Sequence, residues 1–131
     1  ETHGVPVVSV GQPGFPAFFT RESGFKADFQ LDTPEQQAAS FRPKWHLGLA
    51  GGVVVSNPAP GESAMPAEEI DAIIKQALGE ANQQGVKGKA VTPFLLARIK
   101  ELTEGRSLAT NIALVKHNAL VGARLAVALK A

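Results

Sequence analysis

The sequence predicts an α/β fold, a layered α/β/α arrangement built on a mixed or parallel sheet. Three observations carry this. Short β-branched runs lie at residues 5–10 and 51–56, apolar residues recur at helical spacing through most of the second half, and the elements alternate before the helices accumulate. The predicted order is strand, strand, helix, strand and three helices. All 131 residues read as one segment, with no internal repeat and no low-complexity stretch.

Each element has a local reason. Val5-Pro6-Val7-Val8-Ser9-Val10 is a strand closed by the turn residues Gly11-Gln12-Pro13-Gly14. Phe15-Pro16-Ala17-Phe18-Phe19 is aromatic but broken by proline, hence a packed loop or a single helical turn. Residues 26–31 alternate through Ala27, Phe29 and Leu31, the pattern of a half-buried strand. Asp32-Thr33-Pro34-Glu35 starts a helix with an oxygen-bearing cap, proline at the first helical position and an acid at the positive dipole end. That helix is expected to run toward Leu47, stop near Gly48 and break at Pro43, where an interior proline costs about 3 kcal/mol.

Residues 51–56 read as a fully buried strand, apolar on both faces as parallel sheets require. The strand ends in the rigid loop Asn57-Pro58-Ala59-Pro60-Gly61, at the carboxyl end where open α/β sheets bind ligands. A helix starting near Pro66 carries Ile70, Ile73, Ile74, Ala77, Leu78 and Ala81 at core spacing and stops at Gly85. After a polar linker, Thr92-Pro93 is expected to cap a third helix with Phe94, Leu95, Ile99 and Leu102 inward, ended by Gly105. Ser107 is expected to cap the last helix, which runs toward Ala131. Three strands make a thin sheet, and its remainder is expected to belong to residues outside this chain.

Composition narrows function. Hydrophobic residues at 44% and charged residues at 19% describe a core-forming chain. Thirteen Lys+Arg against twelve Asp+Glu give a net charge of +1, too balanced for a module that grips nucleic acid polymers through phosphates. Cysteine is absent, which excludes disulfides, thiolate metal sites and a cysteine nucleophile. His3, His46 and His117 show no metal-ligand spacing. No apolar run, that at residues 51–55 included, comes near the roughly 20 residues of a membrane span, so no membrane partner is expected. The chain opens on Glu1 with no signal peptide pattern; either an initiator methionine is lost, or the chain is the downstream part of a longer protein.

The last helix is apolar nearly all round. At ~100° per residue, Leu108, Ile112, Val115, Ala119, Ala123 and Ala126 share one face, expected inward, while His117 and Arg124 share the opposite, wet one. Asn111 and Asn118 lie two turns apart on one edge. Either both bond neighbouring backbone or a subunit contact, or one of them points at a ligand edge such as a nucleobase. Lys87, Lys89 and Thr92 near a helix start suit an anion or are simply a solvated linker, and Asn57 is a further candidate on its loop. Glu68, Glu69 and Asp71 complement a helix dipole and make no acid/base pair. No nucleophile elbow, phosphate loop or HExxH is present.

The order of several motifs then carries a resemblance. They are Glu1-Thr2-His3-Gly4-Val5-Pro6-Val7, Phe15-Pro16-Ala17-Phe18-Phe19-Thr20-Arg21, Lys44-Trp45 to Leu49, and Gly52 through Asn57-Pro58. Ala64-Met65-Pro66, Gly88-Lys89, Thr92-Pro93-Phe94-Leu95-Leu96-Ala97-Arg98, Glu101-Leu102-Thr103, Ser107-Leu108 and Asn111-Ile112 follow. Together they resemble the carboxyl-terminal part of the pseudouridine-5′-phosphate glycosidase family, also called the indigoidine synthase A-like family. Pro43 and the Gln12-Pro13-Gly14 lead depart from the family pattern.

The resemblance implies a cytoplasmic homotrimer that reversibly splits pseudouridine 5′-phosphate into uracil and ribose 5-phosphate. It implies a Schiff-base lysine, a glutamate proton donor and a manganese-binding aspartate, all in the family's amino-terminal part. None of Lys26, Lys44, Lys75, Lys87, Lys89, Lys100, Lys116 and Lys130 matches the nucleophile's motif. No catalytic or metal-binding residue is therefore expected in this chain, which alone is expected to be inactive and to need the amino-terminal half as partner. Asn111 matches the family's substrate-binding asparagine, while Asn118 keeps the structural reading. The competing expectation is a non-catalytic binding or assembly module on the same fold.

Overall fold

The computed structural model describes residues 4–131; Glu1, Thr2 and His3, which open the first resemblance motif, lie outside the described residues. Strands β1 (Val7–Ser9), β2 (Phe29–Gln30) and β3 (Val54–Ser56) form one sheet in the order β2-β1-β3. Both pairings are parallel, with Val8 opposite Phe29 on one side and Val55 on the other. Central β1 is the buried strand, with Val8 and Ser9 sealed from solvent. The helices are α1 (Pro34–His46), α2 (Ala67–Gln83), α3 (Val91–Leu102) and α4 (Arg106–Lys130), so the α/β class with a parallel sheet is the observed one.

Two expectations about the strands need correction. Residues 53–55 are not fully buried: β3 is an edge strand, and Val54 is 45% exposed. Residues 26–31 contribute only a two-residue strand with Phe29 facing outward. A run of apolar residues does not say which strand takes the middle of the sheet.

The start of α1 follows its sequence closely. The Thr33 hydroxyl accepts the Gln36 N–H, the Gln36 side-chain oxygen accepts the Thr33 N–H, and Pro34 takes the first turn. The break expected at Pro43 does not occur; α1 continues through it to His46. Pro43 and Ala39 are both exposed, so the carbonyl that loses its partner is open to water.

The α2 and α3 helices pack together, as do α1 and α4. Phe19, Met65, Ile70, Ala77 and Ile99 form the main core cluster, with Ile73, Ile74 and Leu95 against it. Leu78, expected inward, is exposed. The expected caps of the last two helices also differ. A 3₁₀ turn at Gly88–Ala90 leads directly into α3, placing Thr92 and Pro93 inside its first turn. Ser107 lies inside α4, whose start is turned by Gly105 at φ 85. The buried Thr103 hydroxyl accepts the Ser107 N–H at 3.1 Å and donates to the Ile99 carbonyl at 2.8 Å, doing the cap's work from the preceding helix.

The orientation of α4 is the largest correction. Ser107, Thr110 and Leu114 are its buried residues, and the face expected inward is open, with Ile112 47% and Val115 59% exposed. By length and composition alone α4 is also apolar enough to cross a membrane, which a search for unbroken apolar runs does not detect. Lys116, His117 and Arg124 in its middle would be expensive there.

Candidate functional site

The candidate residues fall into two hollows beside α4. Asn111, half-buried on the second turn, lines a space of about 220 Å³ with Phe19, Leu96, Lys100, Ser107 and Leu108. This hollow lies where the end of α3 meets the start of α4. Among the described residues no side-chain partner engages the Asn111 amide, so its donor and acceptor remain available.

Asn118 lies elsewhere. Its Oδ1 accepts a hydrogen bond from Asn57 Nδ2 at 2.9 Å. The pair borders a larger hollow of about 610 Å³ at the carboxyl end of β3, with Phe15, Phe18, Ser56 and Leu114. Asn57 is thus brought to Asn118 and not to Asn111, and its Oδ1 is buried without a partner. Lys87 and Lys89 are exposed on the 3₁₀ turn and line neither hollow.

Two arginines nearby are held in ion pairs. Arg106 grips Glu69 through both terminal nitrogens, joining α4 to α2. The hydrogen bond from Arg106 is the largest influence holding the Glu69 carboxyl below its ordinary range, and Arg106 is raised in return. Arg98 bridges Glu80 and Glu101, and its hydrogen bond, with one from Gln76, lowers Glu80. Among the described residues no three His, Asp or Glu side chains gather where a metal could sit.

The family model described as indigoidine synthase A like protein matches residues 1–128. The chain belongs to that family.

A pseudouridine-5′-phosphate glycosidase of Cupriavidus pinatubonensis is 67% identical over 129 residues, covering 98% of this chain and 41% of the relative. One of Lysinibacillus sphaericus is 58% identical over 127 residues, covering 97% and 42%. Among solved structures, an indigoidine synthase A-like protein of Thermotoga maritima superposes with a TM-score of 0.85 at 32% identity, covering 99% of this chain and 42% of that one. The prealnumycin C-glycosynthase AlnA, solved with ribulose 5-phosphate, gives a TM-score of 0.86 at 26% identity, covering 98% and 42%. The chain therefore spans about two-fifths of the length of the curated relatives it matches.

Asn111, Asn118 and Asn57 are legible as candidates in the sequence, but the pairing of the last two is not. The signal for the pairing lay in the row Arg106, Thr110, Leu114 and Asn118, which repeats every fourth residue along one ridge of α4.

Proposed function

We propose that this chain forms the carboxyl-terminal part of a pseudouridine-5′-phosphate glycosidase. The complete enzyme reversibly cleaves the C–C glycosidic bond of pseudouridine 5′-phosphate, giving uracil and ribose 5-phosphate. The observation that carries this is the 67% identity, sustained over 129 residues, with a relative of that name. A C–C bond needs an electron sink, which a lysine Schiff base supplies. On this reading the lysine, the proton-donating glutamate and the manganese-binding aspartate come from the amino-terminal part, and the complete protein is a cytoplasmic homotrimer.

Asn111 is the residue of this segment proposed to meet the substrate. A carboxamide gives and accepts hydrogen bonds at once, matching the imide edge of uracil. Its half-buried position beside a hollow and its lack of a side-chain partner support the role. The test is Asn111→Ala in the complete glycosidase. Losing one buried amide partner, about 1–3 kcal/mol, lowers kcat/KM roughly ten- to a hundredfold while the melting temperature stays close to wild type. Full efficiency in a folded variant, or simple unfolding, would return Asn111 to a structural role.

A further inference from the structure

The connection from β3 to α2, residues 57–66, and the first turn of α2 run antiparallel along the ridge of α4 and are tied to it three times. Asn57 donates to Asn118, the Thr110 hydroxyl donates to the Ser63 carbonyl at 2.6 Å, and Arg106 clasps Glu69. Leu114 fills the remaining ridge position and is buried. The connection is itself fixed to the sheet side of the molecule. Arg21 donates to the Ala59 carbonyl at 2.9 Å, the Met65 N–H to the Phe19 carbonyl at 2.9 Å, and the Ser56 hydroxyl to the Val8 carbonyl at 2.8 Å. The position of α4 along its own axis is thereby measured against the carboxyl end of β3.

The three ties differ in kind. Arg106 and Glu69 form an exposed ion pair, which constrains little. The Thr110 hydroxyl also reaches back to the Arg106 carbonyl at 3.2 Å, so its tie is shared. Asn57–Asn118 is the neutral side-chain pair at the far end; its Asn118 end is exposed, but Asn57 is half-buried, and the pair is kept although the other amide atom, Asn57 Oδ1, is buried without a partner. A native structure that retains such an unsatisfied group calls for a reason beyond packing.

Asn111 lies between the Thr110 and Asn118 ties. Resting on the reading of Asn111 given above, we infer that Asn57 and Asn118 are positioning residues whose amide pair sets the axial and rotational position of α4 and so places the Asn111 carboxamide at the substrate. Slipping α4 by one residue moves a side chain ~1.5 Å and turns it ~100°. A misplacement of ~1 Å can cost ~100-fold in rate, so even partial freedom of the helix is felt in turnover.

The experiment uses the complete glycosidase with Asn118→Leu, Asn118→Asp and Asn111→Ala, measured at a temperature where all are folded. Asn118→Leu lowers kcat about tenfold. Asn118→Asp, which keeps the oxygen that Asn57 Nδ2 donates to, recovers most of the loss. In the Asn111→Ala background Asn118→Leu adds less than about twofold, because it acts through the missing amide. An equal loss in both backgrounds, or a lower melting temperature with full kcat, overturns the proposal. Should Asn111→Ala be silent, the substrate contact fails, and amide exchange over residues 108–118 still judges the pair. Asn118→Leu then raises that exchange about tenfold and Asn118→Asp does not; unchanged exchange overturns it.

Discussion

Asn111 and Asn118 share one edge of a single helix and differ in what surrounds them. One faces a hollow with its amide unengaged, and the other is held by Asn57. The same distinction between a free and an engaged group governs the carboxylates. Glu80 is held below its ordinary value of 4.5, first by the hydrogen bond from Arg98 and then by that from Gln76. A carboxyl with a depressed folded pKa stabilises the fold above its unfolded value and loses that contribution as the pH falls through the folded value. Glu80→Gln is therefore expected to melt below wild type at pH 7, with the difference closing as the pH falls below 4.5 and through the lowered folded value. Thermal melts across that range check it; a gap that persists at low pH would mean the carboxylate charge is not what Arg98 needs.

At the scale of elements, legibility followed how local the signal was. The start of α1 was readable because Thr33, Pro34 and Gln36 act on one another within a single turn. Thr33→Ala should accordingly lower stability by about 1 kcal/mol, read from denaturant midpoints at unchanged m-value. Pro43 misled because its cost depends on whether the orphaned carbonyl meets water, and that is a property of the fold. The buried face of α4 was not readable from apolar periodicity, since a helix apolar nearly all round leaves every face eligible. Thr110 and Asn118 decided it by finding partners at Ser63 and Asn57, which are distant in sequence. Similarly, Thr103 rather than Ser107 serves the start of α4, because Gly105 turns the chain back over α3. The other end of α4 is served by Arg42, which donates to the Ala128 and Leu129 carbonyls. A cation there satisfies the last carbonyls and opposes the helix dipole. Arg42→Ala is expected to fray this end, seen as faster amide exchange in the last turn of α4 with the first turn unchanged.

At the scale of the whole chain, apolar surface and sheet edge are left open. The outer face of α4 is open at Leu108, Ile112 and Val115, and β3 forms an uncovered edge of the sheet. The relatives that share its sequence are more than twice as long as the matched region, which covers 41% and 42% of them. None of the eight lysines is buried: seven are exposed, and the half-buried Lys44 donates to the Ala50 carbonyl. A Schiff-base lysine requires burial or a neighbouring cation to shed its proton near neutral pH. Burial is lacking at all eight positions. The 131-residue chain produced alone, with manganese supplied, is therefore expected to release no uracil from pseudouridine 5′-phosphate, and borohydride is expected to trap no adduct with ribose 5-phosphate. Adding the amino-terminal part of the enzyme should restore both signals together. Intact mass separates the outcomes directly. An adduct on the complemented mixture that maps to the added polypeptide supports the division of labour, whereas one that maps to any lysine of this chain would place the nucleophile here and reverse it.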